Sequence, residues 1–299
     1  MYAKRAFTHV VCSDESHSTQ GRYRAIALVT GPVEHLRKLR DGLKPAIARS
    51  HLKEFKWAHL RKVSHLKCAR EMMEAAFHAG LGLVIRADVL TWDTEDPRHT
   101  VENRDDVANL GIMYFHLITA VLTKRWPDDC RWALVPDKNG SLNWDRLTEF
   151  LRKVGSHTPV VLASQIWEDP GESLKREFRI ESLTPWSSDT EPVVQLADLL
   201  AGLGVFSRKH FSQYSGWLEA SSKQARLFEN DGPPPLDQES VKLKCEFLHD
   251  FHNACRARNL QVSLNSSRGL RTMRPTHKVN FWWYEAQHER DRAPQKMRR

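Results

Sequence analysis

The sequence predicts an α/β protein, a mixed β-sheet flanked by helices. Three observations point there. Two strand-like runs, Ala6 to Cys12 and Arg22 to Val29, lie close together near the start and read as a hairpin. Strand and helix patterns then alternate along the chain, the order that builds layered sheets. With 299 residues, 40% hydrophobic and 27% charged, the chain has material for one large domain or two small ones.

The elements can be justified in order. Between the first two strands, Ser13 to Ser18 is polar and reads as a turn. Thr30-Gly31-Pro32 stops the second strand, and Pro32 opens a helix to about Ser50. Leu52 to Trp57 reads as short and extended. Leu60 to Ala79 has apolar residues at helical spacing and stops at Gly80. Leu81 to Leu90 is a strand, and Thr91 to Asn103 is an acidic loop. Arg104 to Arg125 reads as a buried helix. Trp132 to Val135 is a strand, and Ser141 caps a helix to Val154. Val160 to Trp167 and Phe178 to Leu183 read as further strands. Pro192 to Phe206 is an apolar helix, Asp231 to Asp237 a Pro-rich linker, and Gln238 to Ala257 a polar amphipathic helix. No internal repeat is present.

Bulk composition narrows the function classes. The apolar run Leu110 to Leu122 falls short of the roughly 20 residues that cross a bilayer. The N-terminal residues show no signal-peptide pattern. Five scattered cysteines without a Cys-x-x-Cys pair fit a reducing cytoplasm. The 15 histidines show no zinc-ligand spacing. Forty-five Lys and Arg against 37 Asp and Glu give +8. Residues 261–299 hold nine Lys/Arg and three Asp/Glu, leaving only +2 for the first 260. A basic tail on a near-neutral body suits a nucleic-acid partner, or merely keeps the protein soluble.

Four carboxylates stand at the edges of apolar segments: Asp14, Glu54, Asp137 and Asp198. Asp198 is the most telling, because Leu196, Leu199, Leu200 and Leu203 surround it. It lies too far past Pro192 for a capping role. A buried carboxylate needs a positive partner, and a bound cation is one. The small residues Ala197, Ala201, Gly202 and Gly204 would let this helix approach another backbone closely. Each of the other three acids has a plainer reading. Asp14 suits an Asx turn, Glu54 a solvent-facing edge strand, and Asp137 the hairpin turn Asp-Lys-Asn-Gly. Period-two alternation puts Glu54 and Lys56 on one face and Phe55 and Trp57 on the other. Together the four acids suit two hard divalent ions, Mg²⁺ or Mn²⁺, which activate water and steady the leaving oxygen of a phosphodiester.

The motifs Ser13-Asp-Glu-Ser16, Glu54-Phe-Lys56 and Gln195-Leu-Ala-Asp-Leu-Leu-Ala-Gly202 resemble those of the domain of unknown function 3800 family, regarded as ribonuclease H-like. The resemblance spans about residues 6 to 205. It implies a ribonuclease H-like core over residues 1–212 and a helical, basic and aromatic extension over 213–299. It also implies Asp14, Glu54, Asp137 and Asp198 as metal ligands. His17 stands where the family usually has Gly, which would set a polar group beside the site.

Lys56 and Lys138 adjoin proposed ligands and could hold a phosphate, or be ordinary surface lysines. In the tail, Arg271 and Arg274 precede Phe281-Trp-Trp-Tyr284, a mixture a single-strand binder uses. The plainer reading is that the aromatics pack on the body, since two adjacent exposed tryptophans would be unusual. The expectation is a cytoplasmic, metal-dependent nuclease acting on RNA or DNA, with no membrane partner and compatible with a homo-oligomer. The alternatives are a non-catalytic nucleic-acid-binding module and a strand-transfer factor.

Overall fold

A computed structural model describes residues 7–16, 21–96, 105–138, 142–155, 179–224 and 239–285. The expected strand at 160–167, the linker at 231–237, the Ser141 cap and His17 lie outside these residues. The elements are β1 (His9–Ser16), β2 (Tyr23–Pro32), α1 (Val33–Arg49), a 3₁₀ turn (Trp57–His59), α2 (Val63–His78), β3 (Arg86–Asp93), α3 (Asp106–Lys124), β4 (Arg131–Pro136), α4 (Trp144–Gly155), β5 (Arg179–Leu183), α5 (Pro192–Lys209), α6 (Phe211–Gln224), α7 (Glu239–Ala257), β6 (Val262–Ser263), β7 (Arg271–Thr272) and β8 (Val279–Trp283).

Six strands form one mixed sheet in the order β5-β4-β1-β2-β3-β8. β1, β2 and β3 are an antiparallel meander. β4 lies parallel to β1, β5 parallel to β4, and β8 parallel to β3. Five strands therefore share one direction, and their C-terminal ends share one edge. The period of two divides the side chains between faces. Cys12, Ala25, Ala27, Val29, Ala87, Val89 and Phe281 pack under α1, α2, α5 and α7. Val11, Ile26, Leu28, Leu90, Trp92 and Trp132 pack under α3 and α4.

Helix α5 starts where the sequence says it should. The Glu191 side chain accepts from the Val193 N–H at 3.3 Å, and Pro192 occupies the first position. Every residue from Pro192 to Ser207 is buried. The helix crosses β1, β2 and β3. Glycines set how closely it does so. A Cβ at Gly204 would sit 3.0 Å from Val89 Cγ1 of β3. A Cβ at Gly202 would overlap the indole of Trp57, which lies flush on the helix backbone.

Several expectations are corrected. Ser13 to Ser16 is not a turn but the end of β1, with Asp14 opposite Ala27 and Ser16 opposite Ala25. Ladder partners override the turn preference of Ser and Asp, because those bonds are made only once β2 is in place. For the same reason β2 runs on through Thr30 and Gly31 to Pro32. β3 begins at Arg86, since residues 80–85 close a turn in which Val84 and Ile85 N–H groups both reach the Gly80 carbonyl. Residues 52–56 are irregular rather than a strand, and Trp57 opens the 3₁₀ turn. Helix α6 carried no strong sequence signal.

The described residues after 213 are tied into the same body. α7 packs on α2, and β8 is the edge strand beside β3. Arg86, 2% exposed, pairs with the fully buried Asp88 at 2.8 Å and donates to the carbonyls of Pro275, Thr276 and His277. Asn280 of β8 donates to the same Asp88 at 3.0 Å. Phe281 stacks edge-on against Phe251, and Trp283 against Tyr23. The aromatic tail residues are thus packed on the body.

Gly202→Ala forces the Trp57 ring off α5. We expect a loss of about 1–3 kcal/mol from overpacking, read as a lower midpoint in chemical denaturation. An unchanged midpoint would show that the indole is not held against this backbone.

Candidate functional site: an acidic cluster around Lys56

The site is built where β1, the end of β4, the segment 54–57 and α5 meet. Asp14 lies on the α5 face of β1 and is 4% exposed. Its Oδ1 accepts from the Glu15 N–H at 2.7 Å, and its Oδ2 is buried with no partner. Burial, then the charges of Asp198, Glu15 and Asp137, push its pKa well above the usual carboxylate value, with Lys56 opposing.

Asp198 faces it from α5. Its Oδ2 accepts from the Trp57 N–H at 2.6 Å. Burial pushes the Asp198 pKa up to about 6, although the Trp57 N–H and Lys56 both pull it down. One turn earlier on α5, Gln195 Oε1 accepts from the Phe55 N–H at 2.7 Å. Two alternate N–H groups of the segment 55–57 thus dock on two α5 side chains three residues apart, which share a helix face. That docking turns Phe55 and Trp57 into the core and leaves Glu54 and Lys56 on the opposite side.

Ser188 joins the remaining groups. Its hydroxyl accepts from Lys56 Nζ at 2.7 Å and donates to Glu54 Oε2 at 3.1 Å. Its N–H donates to Asp137 Oδ1 at 3.0 Å, and its carbonyl accepts from Gln195 Nε2 at 2.7 Å. Asp137 is placed by its own N–H, which donates to the Ser13 carbonyl at 2.8 Å. Lys56 Nζ stands 4.0 Å from Asp137 Oδ2. Burial works against the Lys56 charge, but Asp14, Asp198, Asp137 and Glu54 outweigh it and raise its pKa.

All four sequence-predicted acids therefore surround one ammonium group. Among the described residues, no three Asp, Glu, His or Cys side chains stand close enough to form a metal shell as placed. Glu54 and Asp137 are turned toward Ser188. The unpartnered Asp14 Oδ2 beside the Asp198 carboxylate is nonetheless hard oxygen chemistry that fits a divalent cation.

The other predicted residues lie apart. Lys138 is exposed, and its backbone N–H donates to the Trp186 carbonyl. Arg271 and Arg274 are exposed near β8, which β2 and β3 separate from β1, about 14 Å of sheet. Two participants were missed. Ser188 lies in a loop whose sequence carries no signal for it. Glu15 adds to the charge on Asp14 and accepts from Tyr114 Oη at 2.6 Å on the other sheet face. Its place beside Asp14 was the available hint.

Fold and site together define an α/β protein with a buried acidic cluster beside the C-terminal edge of a mixed sheet. The chain aligns over 292 residues with the uncharacterized proteins ORF2′ and ORF2 of Methanothermobacter thermautotrophicus, at 35% and 36% identity. Each alignment takes in 94% of this chain and 96% of the relative. The chain belongs to the family of these ORF2 proteins. No protein-family model matches it.

The raised carboxylate pKa values fix a sign. A buried acid whose folded pKa exceeds its unfolded value favours the folded state at low pH. That contribution is lost as pH rises from about 4 through about 6. In metal-free protein, Asp198→Asn keeps an oxygen for the Trp57 N–H and removes the buried charge. We expect it to gain about 1–3 kcal/mol over wild type at pH 8, with the gap closing at pH 4. Urea titrations at the two pH values would check this, and a variant less stable at pH 8 would contradict it.

Proposed function

We propose that the protein is a divalent-metal-dependent nuclease that hydrolyses phosphodiester bonds in RNA or DNA. On this reading it has a ribonuclease H-like core and belongs with the domain of unknown function 3800 family. The observation that carries the proposal is the buried, unpartnered Asp14 Oδ2 facing Asp198. Two buried carboxylates with raised pKa values repel each other and lack a full positive complement. The strand arrangement agrees: an antiparallel β1-β2-β3 meander, with β4 and then β5 added in parallel beside β1.

Asp14 and Asp198 would hold the ion, with Asp137 to extend the set and Glu54 reached through Ser188. Bound there, Mg²⁺ or Mn²⁺ supplies charge neutralisation and a lowered pKa for coordinated water. The chain's own residues do the positioning. Lys56, half-buried and kept charged by four acids, offers an ammonium to a non-bridging phosphate oxygen. Ser188 orients Lys56 and Glu54. Gln195 and Asp198 hold the strip that carries both.

Asp14→Asn is expected to lower Mn²⁺-dependent cleavage of single-stranded and duplex oligonucleotides at least a hundredfold while the fold persists. Undiminished cleavage by a folded variant would remove the mechanism. A second reading is a nucleic-acid-binding module that does not cut. It is favoured by the absence, among the described residues, of a three-ligand group. Calorimetric titration with Mn²⁺ separates the two: saturable binding lost in Asp14→Asn supports the nuclease, and no binding at neutral pH supports the module.

A further inference from the structure

Trp57 also lines a cavity of about 540 Å³, between the 3₁₀ turn, the end of α5 and the start of α7. Its lining includes Arg61, Lys209, His210 and Lys244 and, among the described residues, no carboxylate. Trp57, Val205 and Phe206 supply apolar wall. The His210 ring stacks on Phe206 with centroids 4.7 Å apart and planes at 24°. Lys244 Nζ lies 5.3 Å from the centre of the Trp57 ring.

We propose that this cavity binds a phosphate monoester carried on a planar ring, as in a nucleotide, free or at the end of a strand. Half-buried Lys244 shares one concave wall with the exposed Arg61 and Lys209, and an anion there would meet all three cations. Burial, then Arg61 and Lys209, push the Lys244 pKa down to about 8, against the pull of Asp198. Keeping a lysine at such a place is costly to the empty protein, and a bound anion removes the cost. The volume falls within the range of small-ligand sites, about 300–1,000 Å³, and exceeds what a bare phosphate fills. The stacked His210 and Phe206 rings suit a flat heterocycle, and the cations suit phosphate oxygens. The proposal stands on this geometry and not on cleavage at Asp14 and Asp198.

The test is calorimetry on the full chain in EDTA, so that no metal-borne binding at the acidic cluster contributes. The probes are inorganic phosphate, a nucleoside 5′-monophosphate, and a short oligonucleotide with either a 5′-phosphate or a 5′-hydroxyl. The nucleoside monophosphate should bind saturably at one site, more tightly than inorganic phosphate. Arg61→Gln and Lys244→Gln should each weaken binding about tenfold. Arg61 is exposed, so its variant keeps the test valid if Lys244→Gln does not fold. Binding of the phosphorylated oligonucleotide, but of neither the mononucleotide nor the 5′-hydroxyl strand, would identify a strand end as the source of the phosphate. No saturable binding of any phosphorylated probe, or binding unaltered in a folded Arg61→Gln, would overturn the proposal.

Discussion

The structure around the site depends on one hydrogen bond from a backbone to a buried charge. The Trp57 N–H reaches Asp198 Oδ2 at 2.6 Å, and the parallel bond from Phe55 to Gln195 fixes the same strip one turn away. Neither α5 side chain is free to relax toward water, since both are buried. The strip is therefore held against an otherwise apolar helix by two side-chain acceptors, and the alternation of its side chains follows. Phe55 and Trp57 complete the core, while Glu54 and Lys56 are delivered to Asp14 and Asp137. Gly202 belongs to the same device, because the Trp57 ring occupies the space a side chain there would need.

Trp57 touches two groups of opposite charge. One is the four acids around Lys56, with carboxylate pKa values raised at Asp14 and Asp198. The other is Arg61, Lys209 and Lys244, with the lysine at 244 pushed down to about 8. On the proposed reading, a cation would complete the acids and an anion the basic cavity. The far end of the sheet is different in kind. There Arg86 and Asp88 are satisfied by each other, by three carbonyls and by Asn280, so this buried pair secures β8 and asks for nothing more.

Much of the fold was legible because its signals are local. Pro32 marked the start of α1, apolar spacing placed α2, α3, α5 and α7, and the β-branched run ending at Cys12 marked β1. Asp198 stood out because a charge in an apolar helix is conspicuous in one dimension. Where reading by pattern failed, the deciding partner was distant in the chain. Ser13 to Ser16 looks like a turn until β2 supplies its ladder. The basic and aromatic residues of the tail look like one surface, yet β8 buries Phe281 and leaves Arg271 and Arg274 across the sheet from the acids.

By itself the sequence determined most of the helices and the central strands, and that one buried carboxylate needs a counter-charge. Both follow from the spacing of residue types, which short-range sterics and desolvation read directly. Only the tertiary structure decided that Ser188 bridges Glu54, Lys56 and Asp137, and that β8 forms the edge of the sheet beside β3. It alone gathered Arg61, Lys209 and Lys244 around one cavity. Those outcomes are distances between residues far apart in the chain. They are set by how α5 seats on the sheet and against the strip at 54–57, not by any pattern within a segment.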